Sequence, residues 1–167
     1  MRDYHAITLQ GKPFVQIIRQ YKLLTLEGKR RPLVKADLSN TDLRGLDLSD
    51  LTFVEASFEN SDLSMANLSS ADFSSTNLRK ASLVQANLSG AVFQSCDFTR
   101  ANLRGANLGN ATFDGVNFCG ADLQRVKLLA TIAENITYDD ATAWPNDMER
   151  FGFDLKRMAT WHKVGPK

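Results

Sequence analysis

The chain has 167 residues, 43% of them hydrophobic, which suits one domain with its own core and argues against disorder. Its 20 Lys and Arg against 19 Asp and Glu leave a net charge of +1, which excludes any whole-molecule attraction to nucleic acid or an anionic membrane. Two cysteines, Cys96 and Cys119, are too few for a disulfide framework, and no stretch reaches the ~18 apolar residues of a membrane span.

Residues 1–35 form the first segment. Gln10, Lys12, Gln16 and Arg19 interrupt the apolar residues between Met1 and Thr25, so this stretch does not read as a signal peptide and a soluble, cytoplasmic chain is expected. Pro13 suits the first turn of a helix, and Phe14, Ile17, Ile18, Tyr21 and Leu24 follow helical spacing up to a stop at Gly28. This helix is expected to cover the start of the following segment; the other reading is a homodimer through it. Lys29-Arg30-Arg31 with Lys35 read as a basic linker, or more sharply as a contact for an acidic partner or nucleic acid.

From Ala36 to Ala130 the sequence divides into 19 consecutive pentapeptides with no insertion or deletion. The third position of each, the centre, is Leu or Phe in all 19, from Leu38 to Leu128. Ala stands two positions before the centre in 11 repeats, and Asp or Asn directly before it in 13. A period of five matches neither a strand nor a helix. It matches a chain that turns a corner every five residues, sending the centre and one small residue inward and the other three outward. Phe53, Phe73, Phe93 and Phe113 recur every 20 residues, and Phe58, Phe98 and Phe118 occupy the next repeat of the same frame. Two further sets, Leu43 to Leu123 and Leu48 to Leu128, hold only Leu. Four repeats per coil therefore stack Phe on Phe, and Leu38, Phe53, Phe73, Phe93, Phe113, Leu68 and Leu88 are assigned to the core. Nineteen repeats make just under five coils, about 23 Å at the ~4.8 Å spacing of neighbouring strands.

The run resembles the pentapeptide-repeat family, whose consensus is Ala-(Asp/Asn)-Leu-X-X. That resemblance implies an all-β solenoid, a right-handed quadrilateral β-helix with four repeats per coil. The handedness comes from the resemblance alone.

In residues 131–167 the pattern decays through Ile136, Tyr138 and Ala141, which are expected to keep filling inward positions. The segment from Tyr138 to Pro145 resembles the tail that follows the repeats in cyanobacterial members. Asn146 and Glu149 have the spacing of a capping box, and a short helix is expected to lay Met148, Phe151, Phe153, Leu155, Met158 and Trp161 over the last coil as a C-terminal cap.

Chemistry is sparse. His5 and His162 lie in the two terminal segments with no cysteine or acidic cluster at ligand spacing, so no metal is expected. Cys96 falls on an inward position and Cys119 on an outward one, so they are not expected to bond to each other, and Cys119 is the candidate surface thiol. The Asp and Asn before the centres read as acceptors for backbone groups at the corners rather than as catalytic carboxylates or calcium ligands. With no phosphate loop and no nucleophile constellation, neither a catalytic site nor a cofactor is expected.

Function is then sought in the outward positions. Residues 36–130 carry 7 basic and 11 acidic side chains, yet one side carries Arg79, Lys80 and Arg100, the next carries Arg44, Arg104 and Arg125, and Lys80 and Arg100 stack at the corner between them. Arg79, Lys80, Arg100, Arg104 and Arg125 are the candidate partner-binding residues, the other reading being a solvated face partly neutralised by Asp97 and Asp122. The side that follows is nearly uncharged, built from Asn67, Ser69, Ser70, Asn87, Ser89, Gly90, Asn107, Gly109 and Asn110. The reading is a non-catalytic protein-binding scaffold or regulatory module. The resemblance admits an alternative, because members of similar repeat pattern mimic DNA and bind gyrase. Mimicry wants a long, densely negative shaft and a C-terminal apolar dimerisation helix, which the Met158–Trp161 region imitates weakly. Nucleic acid and membrane are not expected as partners.

Overall fold

A chain that must turn every five residues needs one residue per corner with an unusual backbone angle. The protein, described by a computed structural model over residues 33–146 and 162–165, meets this need without exception from Lys35 to Asn135: every fifth residue has a positive φ. Only five of these are glycine; the others, between 51° at Asn135 and 61° at Arg125, accept the left-handed region at a cost in strain. The centre's carbonyl closes most corners by accepting from the nitrogen three residues on, as in Ala66 to Leu63 at 3.0 Å.

Each corner delivers the chain to a short parallel pairing with the residue 20 positions away. On the first side Asp37, Ser57, Asn77, Asp97, Asn117 and Thr137 pair in succession; on the second, Asp42, Asp62, Ser82, Asn102 and Asp122; on the third, Asp47, Asn67, Asn87, Asn107 and Lys127. The fourth side begins Thr52, Asp72, Val92 and continues into a parallel sheet of β1 (Val92–Gln94), β2 (Thr112–Asp114) and β3 (Ile132–Glu134). The three strands carry Val92, Thr112 and Ile132 in succession, β-branched residues that pair with one another, favour extended backbone and offer no carboxyl or amide oxygen for a tight turn, whereas Thr52, paired with Asp72, makes a single bridge. Four pairings every 20 residues make the protein a four-sided parallel β-solenoid. Two further strands, β4 (Thr137–Tyr138) and β5 (His162–Lys163), pair in parallel at the C-terminal edge of the first side.

The interior is a stack of rings. Phe53, Phe73, Phe93 and Phe113 lie 4.9 to 5.2 Å apart with interplanar angles of 24°, 13° and 7°. Phe98 and Phe118 stack at 5.2 Å beside them, and the two columns meet edge to face, as at Phe93 and Phe98. Leu38, Leu68, Leu88 and the alanines two positions before the centres are buried around this stack. The few polar inward residues are satisfied: Thr76, Thr131 and Thr142 each donate a hydroxyl to the carbonyl of a centre one coil earlier, and no buried side-chain polar atom among the described residues lacks a partner.

The coil extends beyond the 19 counted repeats at both ends. Leu33 is buried and its nitrogen donates to Thr52 at 2.7 Å, a continuation hidden because Arg31 and Pro32 replace the usual Ala and Asp. At the other end Ile136 is fully buried and Tyr138 half-buried, but the expectation for Ala141 is corrected: it is exposed, and Thr142 takes the inward position. One extra residue enters the last coil, so that Asp122 pairs with Ala143 rather than with residue 142. Trp144 then lies edge-on to Phe118 at 6.1 Å and, with Pro145, lines a small apolar cavity of about 20 Å³ at the end of the shaft. The helices expected at residues 14–24 and after Asn146 lie outside the described residues, as does the basic linker before Leu33.

Candidate functional site

The outward surface is set by what the Asp and Asn side chains do. All 13 of them before a centre accept a hydrogen bond from the backbone nitrogen two residues on, at 2.8–3.3 Å. This donor is the one that the coil-to-coil ladder leaves over, so the carboxylates and amides belong to the framework. On the third side the amides also bond to one another along the shaft: Asn107 donates to Asn87, Asn87 to Asn67, and Asn67 to Asp47, at 3.1, 3.1 and 3.2 Å. The expected uncharged side is therefore a bonded asparagine ladder, which Lys127 ends.

The five candidate cations do not form one cluster. Arg79 donates to Asp97 at 3.0 Å and is held on the first side. Lys80 and Arg100 stack with Gly120 along the corner between the first and second sides, all three at positive φ. A Cβ at Gly120 would stand 3.2 Å from Cγ of Arg100, which places the Arg100 stem over that glycine. Arg104 lies on the second side, where Asp122 is 3.6 Å away and the Gln124 side-chain oxygen accepts from it. Arg125 occupies the next corner. Arg44 on the second side is held by Asp42 through two bonds of 2.9 and 2.6 Å; the guanidinium lowers the Asp42 carboxyl to about 2.

Of the seven Arg and Lys in residues 36–130, Arg44, Arg79 and Arg104 are thus paired. Lys80, Arg100, Arg125 and Lys127 pair with no carboxylate among the described residues. Lys127 was not among the sequence candidates, although it alone puts a Lys at the position where Asp or Asn prevails. It joins Arg104, Gln124, Arg125, Val126, Pro145 and Asn146 in lining an open groove of about 450 Å³ at the C-terminal end of the shaft.

The thiols differ as their positions dictate. Cys96 is buried and its Sγ donates to the Phe73 carbonyl at 2.8 Å; burial pushes the thiol up to about 12. Cys119 is half-buried on the first side, and neither cysteine is in a disulfide. His162 is exposed in β5, its nitrogen donating to the Ile136 carbonyl at 2.7 Å; His5 lies outside the described residues. No group of three or more His, Cys, Asp or Glu among the described residues is arranged to hold a metal, and no described helix is long and apolar enough to cross a membrane.

Comparison with known proteins bears on the same segment. The family model for pentapeptide repeats matches eight copies, over residues 33–69, 66–105 and 96–128. No curated protein matches the chain. Among solved structures, the chain is similar to the pentapeptide repeat protein Rfr23 from the cyanobacterium Cyanothece 51142, with 29% identity, 75% of this chain and 99% of that one covered, and a TM-score of 0.40. It is similar to a pentapeptide repeat protein of the Arabidopsis thaliana thylakoid lumen at 25% identity, with 68% and 74% covered and a TM-score of 0.38. Full-length QnrB1, a plasmid-mediated fluoroquinolone resistance protein, shares 17% identity over 80% of this chain and 84% of its own, with a TM-score of 0.37.

Proposed function

This chain belongs to the family of pentapeptide repeat proteins, and on that premise we propose that it is a non-catalytic scaffold, a cytoplasmic module that binds a protein partner through the outward faces of its shaft. The coil is then the family's right-handed β-helix, with the remainder of segments 1–35 and 131–167 flanking it. The observation that carries the reading is the division of labour among the polar side chains. The Asp and Asn before the centres are spent on the chain's own backbone, whereas Lys80, Arg100, Arg125 and Lys127 project from a rigid, preorganised surface with no described carboxylate to neutralise them. Charges held on a stiff frame lose little entropy on binding and set which partner fits. Arg79 and Arg104, fixed by Asp97 and Asp122, extend the same surface.

DNA mimicry, the alternative, receives less support. Seven Asp of the repeats are tied by one oxygen to backbone nitrogen, and four cations stand among them without a described partner.

The test is capture of the tagged full chain from nuclease-treated native lysate, with bound proteins identified by mass spectrometry. One protein in stoichiometric amount is expected, and it should be lost when Lys80, Arg100, Arg125 and Lys127 are all changed to Gln, a variant whose circular dichroism should match the parent. Recovery of gyrase subunits would transfer the assignment to mimicry, and an empty capture would count against a scaffold.

A further inference from the structure

Concavity distinguishes one part of the cationic surface. Lys80 and Arg100 stand on a convex corner, where a bound group keeps most of its water. Arg125 and Lys127, two residues apart with buried Val126 between them, face the groove that Pro145 and Asn146 close on the far side. Arg104 enters the same groove with its position fixed by Asp122 and Gln124, so it presents a guanidinium without having to be ordered first. Three cations and the amides of Gln124 and Asn146 thus line one volume, and among the described residues Asp122 is the acidic side chain bonded into that wall. Low-dielectric walls around like charges focus the field on the space between them.

The surroundings decide what kind of anion fits. A nucleic acid would carry its phosphates along the shaft, whose residues 36–130 hold 11 acidic against 7 basic side chains and so repel a long polyanion. A short run of carboxylates need not extend along it. We propose that this groove is the docking site for an acidic peptide segment of the partner, two or more Asp or Glu side chains seated against Arg104, Arg125 and Lys127; the proposal rests on the scaffold reading and names the chemistry of its partner.

Labelled hexaglutamate titrated into the full chain at about 10 mM salt, where the Debye length is roughly 30 Å, supplies the test by fluorescence anisotropy. Saturable binding is expected, weakened at least tenfold by Arg125→Gln with Lys127→Gln and less than threefold by Lys80→Gln with Arg100→Gln. No saturable binding, an equal loss in the two double variants, or tighter binding of a labelled oligothymidylate of similar length would each overturn it. Repeating the lysate capture with the two double variants separates the two levels of the claim. A partner that survives loss of Arg125 and Lys127 but not of Lys80 and Arg100 leaves the scaffold standing and refutes the groove. If the parent chain captures nothing, the scaffold reading fails whatever hexaglutamate does.

Discussion

Oδ1 of Asp139 lies 2.8 Å from the backbone nitrogen of Gly120, where every earlier residue of that column meets a carbonyl. Asn40, Asn60, Lys80 and Arg100 donate in turn to the carbonyls of Glu59, Arg79, Thr99 and Cys119. At Asp139 the side chain takes over the acceptor's role, which frees the backbone to admit the extra residue that moves Thr142 inward and Ala143 into register with Asp122. Asp139 also accepts from the nitrogen of Ala141 at 3.1 Å, so one carboxylate organises the whole bulge.

Removing that carboxylate should loosen the end of the shaft selectively. Asp139→Ala leaves the Gly120 nitrogen without an acceptor and is expected to cost about 1–2 kcal/mol in urea denaturation. Amide exchange should quicken at Gly120 and Ala141 and stay unchanged at Leu68; uniform quickening along the shaft would contradict a local latch.

Acid should have the same effect as that substitution. Burial pushes the Asp139 carboxyl up, but the nitrogens of Gly120, Ala141 and Thr142 and the Thr142 hydroxyl outweigh it and hold the group below its ordinary value. A lowered folded-state pKa means the contribution is complete above the unfolded value near 3.9 and is lost as pH falls through the folded one. The stability gap between parent and Asp139→Ala should therefore close below about pH 4.

The ring stack should be the most sensitive part of the molecule. Phe93 touches Phe73, Phe98 and Phe113, so Phe93→Ala removes a ring from the middle of one column and the edge-to-face partner of Phe98 in the other, at an expected cost of about 3–5 kcal/mol in chemical denaturation. Leu88→Asp buries a charge with no partner and should yield no folded middle coils, visible as loss of the β signal in circular dichroism.

In the asparagine ladder, chemistry rather than size should matter. Asn87 accepts from Ser89 and Asn107 and donates to Asn67, so Asn87→Asp keeps two bonds and sets an oxygen against the oxygen of Asn67. Only the protonated acid restores the third bond, which raises the folded pKa. Relative to the parent, the Asp variant should be nearly as stable below about pH 3.9 and fall behind by about 1–2 kcal/mol as pH rises through the raised value. Thermal unfolding at a series of pH values checks the sign.

The thiols should separate by exposure. Iodoacetamide is expected to alkylate Cys119 in the folded protein and to reach Cys96 only on unfolding, since burial holds the Cys96 thiol near 12. Mass spectrometry of the labelled protein distinguishes the two; early labelling of Cys96 would show that the middle coils open.

The period of five, the frame of 20, the Phe columns and the turn role of Asp and Asn were all legible from residues alone. Each is a local preference repeated many times, so that the pattern outweighs exceptions such as Leu51 or Lys127. Tertiary structure alone decided three things. The bulge at Asp139 is a register shift of one residue, which occurs once and leaves no periodic trace. The pairing of His162 and Lys163 with Thr137 and Tyr138 joins residues 25 positions apart, outside the frame of 20. For the candidate cations the sequence places Asp97 and Asp122 nearby as partial neutralisers without saying which cation each one holds. Their division into ion-paired Arg79 and Arg104, convex Lys80 and Arg100, and grooved Arg125 with Lys127 depends on which carboxylate of the next coil each side chain reaches. Side-chain reach and the curvature of the surface belong to the folded coil, and a pentapeptide consensus carries neither.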